Sequence, residues 1–371
     1  MYANTLQQLA AILQTRHNFT EEPGLLYGHT GMSLFLFYYA AQTGNKTAGD
    51  TAQELLLSAY KEAVKKDKRD VRHDIPGIGW FFSHLVRYRL IEIDADELLD
   101  SVDTFVFDGI QHRFSHVLGA GGLLSKGSYL VARYHSTTSG YKKVMISEVI
   151  ASVVDEIKTK FRQGWPDTIG KTYDRYYSNS PLVAWQHKTN SIAAVFYFLT
   201  TVTPLQIYLP IVRRLMEETA GYLRNLCLRE YPITAGQDAT RSSYTSLLRI
   251  YHALHTGGNN YLGDLDETLI TKLEQLPPAD KNTAPALKGS YQPAMLYKLL
   301  SMMAIRQPDS NQWKELAIAV QEQQLLQIRK QLPTVPNLGL QQGIAGTGLV
   351  LLEALTAQPI PWEDVLLLQG D

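Results

Sequence analysis

Residues 28–40 read GHTGMSLFLFYYA, and residues 343–355 read GIAGTGLVLLEAL. In each, a glycine-bearing turn runs into a segment that is apolar around most of its circumference. A helix of that kind is buried on most sides. The pattern recurs at DIPGIGWFFSHLV (74–86), GLLSKGSYLVARY (122–134), KTNSIAAVFYFLT (188–200), YTSLLRIYHALHT (244–256) and GSYQPAMLYKLLS (289–301). The seven starts lie 46, 48, 66, 56, 45 and 54 residues apart, and each interval has room for one more helix and its loops. Periodicity of this length signals a helical-hairpin repeat.

The intervening stretches support that reading. Residues 51–66, TAQELLLSAYKEAVKK, are amphipathic and suit an outer layer, and Leu6, Leu9, Ile12 and Leu13 recur at helical spacing near the start. Prolines 23, 204, 277, 278, 333 and 336 fall between periodic segments, and the alternating run 105–109 is too short to make a sheet. The expected fold is therefore all-α, an (α/α)7 toroid of seven inner and seven outer helices in one domain over 1–371. Glycine at each inner helix start permits close backbone approach and unusual dihedrals. Seven inner N-termini would gather at one rim, where free N–H groups and helix dipoles favour an anion. For any single motif, packing explains the glycine better than function does. Only the convergence suggests a site.

Composition narrows the classes. The chain has 371 residues, 45% hydrophobic and 19% charged, with 35 basic and 36 acidic residues for a net charge of -1. No basic stripe points to nucleic acid. Lys61, Lys65, Lys66, Lys68 and Arg69 are interleaved with Glu62, Asp67 and Asp70, as on a solvated helix end. One cysteine, Cys227, allows no intrachain disulfide and no Cys-rich metal site, and reads as a buried structural thiol. The N-terminal residues lack a basic-then-apolar leader pattern. The longest greasy stretch, 34–41, is far short of the roughly 20 residues needed to span a bilayer. A cytoplasmic protein without a membrane span is expected.

Three segments, GLLYGHTGMSLFLFYYA, DIPGIGWFFSHLVRYRLIEID and LGLQQGIAGTGLVLLEAL, resemble the first, second and last repeats of the LanC-like proteins (lanthionine synthetase C), those of Bacteroidetes-type bacteria most of all. The resemblance extends over the whole chain and is weak in repeats four to six. It implies an α-toroid and, for better-known members, thioether ring closure in ribosomally made peptides. There a zinc ion binds the peptide's cysteine thiolate for attack on a dehydroamino acid. Zinc suits this chemistry because the thiolate is the nucleophile.

Carried onto this chain, the family's zinc ligands are missing. The first cysteine position is held by Ser242, with Arg241 and Ser243 beside it, and the Cys-His-Gly of the sixth repeat reads Leu287-Lys288-Gly289. The resemblance therefore implies no metal and no cofactor. The fourth-repeat His-Gly reads His187-Lys188, which retains a proton-transfer histidine. The third-repeat aspartate falls on Leu118, with His116 and Asp108 out of register. His187 is thus the candidate catalytic residue, and Arg241, Tyr244, Lys288, Lys188 and Tyr291 are the candidate substrate-binding residues. His29, His73, His84 and Gln342 read as caps or satisfied polar groups, and Asp74 as an N-cap.

Two main readings follow. In one, the chain is a lanthipeptide-pathway protein without zinc ligands, with a precursor peptide and a dehydratase as expected partners. It is then a peptide-binding pseudo-cyclase or a metal-independent thioether cyclase, and the binding form is preferred. In the other, it is a carbohydrate-active toroid, a glycosidase or sugar epimerase. That chemistry needs paired carboxylates or histidines, of which only Asp74 stands convincingly at a repeat start. A structural subunit of a biosynthetic complex is a third possibility.

Overall fold

The computed structural model describes residues 2–16, 22–63, 74–111, 116–119, 121–174, 181–228, 237–263, 265–275, 293–307, 311–331, 337–340, 343–356 and 358–362. Among these, every regular element is helical. In chain order they are α1 (Tyr2–Arg16), α2 (His29–Thr43), α3 (Lys46–Ala63), α4 (Ile75–Arg87), α5 (Ala95–Leu98) and α6 (Asp100–Gln111). Then come α7 (Leu123–Ser136), α8 (Gly140–Arg162), α9 (Trp165–Asp174), α10 (Pro181–Val202), α11 (Leu209–Leu228) and α12 (Gln237–Thr256). The last are α13 (Asn259–Leu262), α14 (Leu265–Gln275), α15 (Pro293–Arg306), α16 (Asn311–Gln331) and α17 (Ile344–Thr356). No described helix is long and apolar enough to cross a membrane.

The seven apolar segments all fall in helices, namely α2, α4, α7, α10, α12, α15 and α17, called here the motif helices. Their burial matches their composition. Every residue from Thr30 to Tyr39 of α2, and from Ile344 to Glu353 of α17, is buried. The helices between them bury a single stripe. In α8 that stripe is Ile146, Ile150, Val153, Val154, Ile157 and Phe161, and in α11 it includes Val212, Leu215, Met216, Leu223 and Cys227.

Each motif helix packs against the next, α2 on α4, α4 on α7, and so on to α15 on α17, and α17 packs against α2. Each is also covered by an amphipathic helix. These are α3 on α2, α6 on α4, α8 on α7, α11 on α10, α14 on α12 and α16 on α15. The seventh motif helix is covered by α1, from the other end of the chain.

Four motif helices begin where the sequence places them, directly after Gly28, Asp74, Gly122 and Gly343. Two do not. α10 begins at Pro181 and α12 at Gln237, each seven residues ahead of the expected turn. Neither repeat carries a cap glycine, so nothing stops the helix from extending backward, and proline at the first helical position favours an early start of α10. The expected sixth start, Gly289, lies outside the described residues.

Candidate functional site

The turns ahead of three motif helices are built alike. His29 N–H donates to the Glu22 carbonyl at 2.8 Å, and Thr30 N–H to that of Pro23 at 3.3 Å. Before α7, Leu123 donates to His116 at 2.8 Å and Leu124 to Val117 at 3.0 Å. Before α17, Ile344 donates to Asn337 at 3.0 Å and Ala345 to Leu338 at 3.2 Å. Each donor is one of the first two helical residues, and each acceptor lies seven positions earlier. The loop folds back over the helix start and leaves no room for a side chain. A Cβ on Gly28 would lie 2.0 Å from the Glu22 oxygen, and one on Gly343 2.5 Å from the Gly339 oxygen. Gly28 and Gly122 have φ of -121° and -75°, so close approach, and no unusual dihedral, is what demands glycine.

This geometry leaves fewer free N–H groups than expected at the starts of four of the seven motif helices. In α2, α7 and α17 the leading donors are already consumed by loop carbonyls. In α4 the Gly77 N–H donates to Asp74 Oδ1 at 3.1 Å. Asp74 is the N-cap of α4, as expected, but with φ 44° in the left-handed region instead of the usual extended one. Its other oxygen accepts from Leu25 N–H at 3.3 Å. Leu340 N–H in turn donates to the Leu26 carbonyl at 2.7 Å. The starts of α2, α4 and α17 therefore meet at one end. Burial raises the Asp74 carboxyl from 3.8 to about 7, against the two backbone donors that lower it.

His187 and Lys188, expected at a helix start, lie in the second turn of α10, both half-buried. Lys188 Nζ is 3.9 Å from Asp167 of α9, so its charge is partly answered there. Packing sets a different register for this helix. Phe35 and Tyr129 stand seven residues after their cap glycines, and each ring lies on a glycine of the preceding motif helix, Gly348 and Gly79 respectively. Phe198 makes the same contact with Gly127, which puts Ser191, not Lys188, in the cap-glycine place of α10. Arg241, Ser242 and Tyr244 lie within the first turns of α12, where only the backbone is described. Lys288 and Tyr291 lie outside the described residues, as do Leu287, His73 and Gln342.

Gln186 Nε2 and Thr189 Oγ1, on the same stretch of α10 as His187, and Thr245 Oγ1 on the adjacent α12 are buried without hydrogen-bond partners. Buried polar groups are nearly always satisfied by protein, water or ligand.

Other sequence assignments are met by ordinary packing. His84 is buried, its Nε2 2.8 Å from the Tyr38 hydroxyl and its ring stacked on Trp80. Burial, with the nearby Arg87 charge, pushes its imidazole down to about 3. Cys227 is buried, and desolvation pushes its thiol up to about 11. Among the described residues no three His, Cys, Asp or Glu side chains gather as metal ligands. The buried charged residues Arg249, His252, Lys298 and Glu353 escaped the sequence reading. The available signal was a polar letter inside each of the apolar runs LLRIYHAL, MLYKLLS and VLLEAL.

No protein-family model matches the chain, and no curated protein matches it.

Proposed function

We propose that the chain is an (α/α)7 toroid of the LanC-like type that binds a peptide without zinc. The toroid reading is supported by the cyclic order of neighbours, in which α17 returns to α2 and α1 covers α17. It is supported again by the aromatic-on-glycine contact, which recurs in one direction from α4 to α7, α7 to α10, and α17 to α2.

One observation carries the binding role. Gln186 and Thr189, which flank His187 in α10, and Thr245 on the adjacent α12 hold buried polar atoms with no hydrogen-bond partner. Donors and acceptors of both kinds suit a peptide backbone, and the half-buried His187 on the same stretch of α10 is the group for proton transfer. Ser242, Leu287 and Lys288 at the family's ligand places leave little to bind zinc, which favours the pseudo-cyclase over a metal-dependent enzyme.

The test is calorimetry with a Cys- and Ser/Thr-bearing peptide, untreated and dehydrated, together with metal analysis. Thr189→Val and Thr245→Val should each weaken binding by about 0.5–1.5 kcal/mol, and Arg241→Ala or Lys288→Ala by about 1.5–3 kcal/mol. Wild-type affinity in all four variants, uptake of an oligosaccharide in place of peptide, or a tightly held zinc lost on changing Ser242 would sink the reading. If His187→Ala spares binding but stops thioether formation, the protein is a cyclase.

A further inference from the structure

A second cluster lies about 10 Å further along α12 from Thr245 and takes no part in that reading. His252 is 4% exposed, and neither of its ring nitrogens has a hydrogen-bond partner. The ring sits 5.5 Å from that of Tyr197 on α10. Arg306, the last residue of α15, holds its guanidinium carbon 6.0 Å from the Tyr251 ring, and its Nη1 is buried without a partner. Burial lowers Arg306 below its ordinary value, and among the described residues the groups that oppose this are the hydroxyls of Tyr251 and Tyr197. Among the described residues, the charges that act on His252 are those of Arg306, His255 and Lys298, all positive. The carboxylate on the neighbouring α17, Glu353, is bonded to Lys298 and to the Ile360 N–H.

A guanidinium nitrogen and an imidazole buried without hydrogen-bond partners are costly, and a bound oxyanion relieves both. Arg306 and His255 are half-buried, whereas His252 is buried. We propose that this cluster, where α10, α12 and α15 come together, binds a small carboxylate, held by the guanidinium of Arg306 and by an N–H of His252. The planar carboxylate matches the planar fork. A neutral imidazole keeps one N–H to donate to it.

The test follows the His252 resonance in 15N-histidine-labelled protein during titration with sodium acetate against sodium chloride at constant ionic strength. Acetate, and not chloride, should shift it saturably. Arg306→Gln and His252→Leu, each checked as folded by circular dichroism, should weaken acetate binding about tenfold or more. The His252→Leu variant has lost the reporting ring, so its readout is acetate-dependent thermal stabilisation. Competition by glycylglycine but not its amide identifies a peptide C-terminus as the source, and binding of acetate alone identifies a free acid. Absence of an acetate-dependent shift, binding of phosphate in its place, or wild-type affinity in both variants overturns the proposal.

Discussion

The ring of Phe35 on α2 lies on the bare α-carbon of Gly348 on α17, where a methyl group would come within 2.5 Å of the ring. Both residues are fully buried, so neither can move aside into solvent. Gly348→Ala should therefore destabilise by about 1–3 kcal/mol through overpacking, although alanine is the better helix former. Gly221→Ala on α11 is the matched control. A Cβ there meets nothing within 4 Å, and a gain of up to about 1 kcal/mol is expected. Urea unfolding of both variants measures the difference. Phe35→Leu combined with Gly348→Ala should recover part of the loss, and strict additivity would mean that the two residues do not touch.

Asp74 should make stability fall as pH rises. Its carboxyl is raised in the folded state from 3.8 to about 7. Between those values the folded protein keeps a proton that the unfolded chain has released, so the contribution is lost progressively up to about pH 7. The fully buried shift corresponds to roughly 4 kcal/mol at most. Asp74→Asn keeps a capping oxygen and tolerates the left-handed backbone. Its stability relative to wild type should rise from pH 4 to pH 7 in urea titrations. A constant difference would show that Asp74 titrates normally.

His84 acts in the opposite sense. Its folded value is lowered from 6.5 to about 3. The stability it contributes is present above pH 6.5 and is lost as pH falls towards 3, because the unfolded chain takes up the proton first. His84→Gln should flatten that part of the profile. Tyr38→Phe removes the hydroxyl 2.8 Å from Nε2 and should cost about 1–3 kcal/mol at neutral pH.

Lys298 and Glu353 form a buried pair between α15 and α17, 2.5 Å apart, which also holds both backbone groups of Ile360. Lys298→Met leaves a buried carboxylate unpaired and should cost about 3–5 kcal/mol. Adding Glu353→Gln removes the charge yet keeps an acceptor for the Ile360 N–H, so the double variant should recover much of that loss. If it is no more stable than Lys298→Met alone, the unpaired carboxylate is not the source of the cost.

Local order and burial were legible in the sequence wherever a residue type has one use. Apolar letters on all sides, as in 30–39, can only be a buried helix, and one-sided stripes such as Ile146, Ile150 and Val153 can only be a covering one. Gly28, Gly122 and Gly343 marked helix starts because any Cβ there collides with the returning loop. Repeats four and five carry no such collision, so their helices run seven residues further back and His187 and Arg241 leave the turn for the helix interior. Only the tertiary structure decided where donors and charges end. The loop seven residues upstream consumes the N–H groups that sequence alone leaves free, and Asp74 bridges two repeats. His252 and Arg306, fifty-four positions apart in the chain, come close enough for the Arg306 charge to act on the imidazole. Helical periodicity reports which face of a segment is apolar. It carries no information on which distant face will meet it, and burial of a charge depends on that meeting.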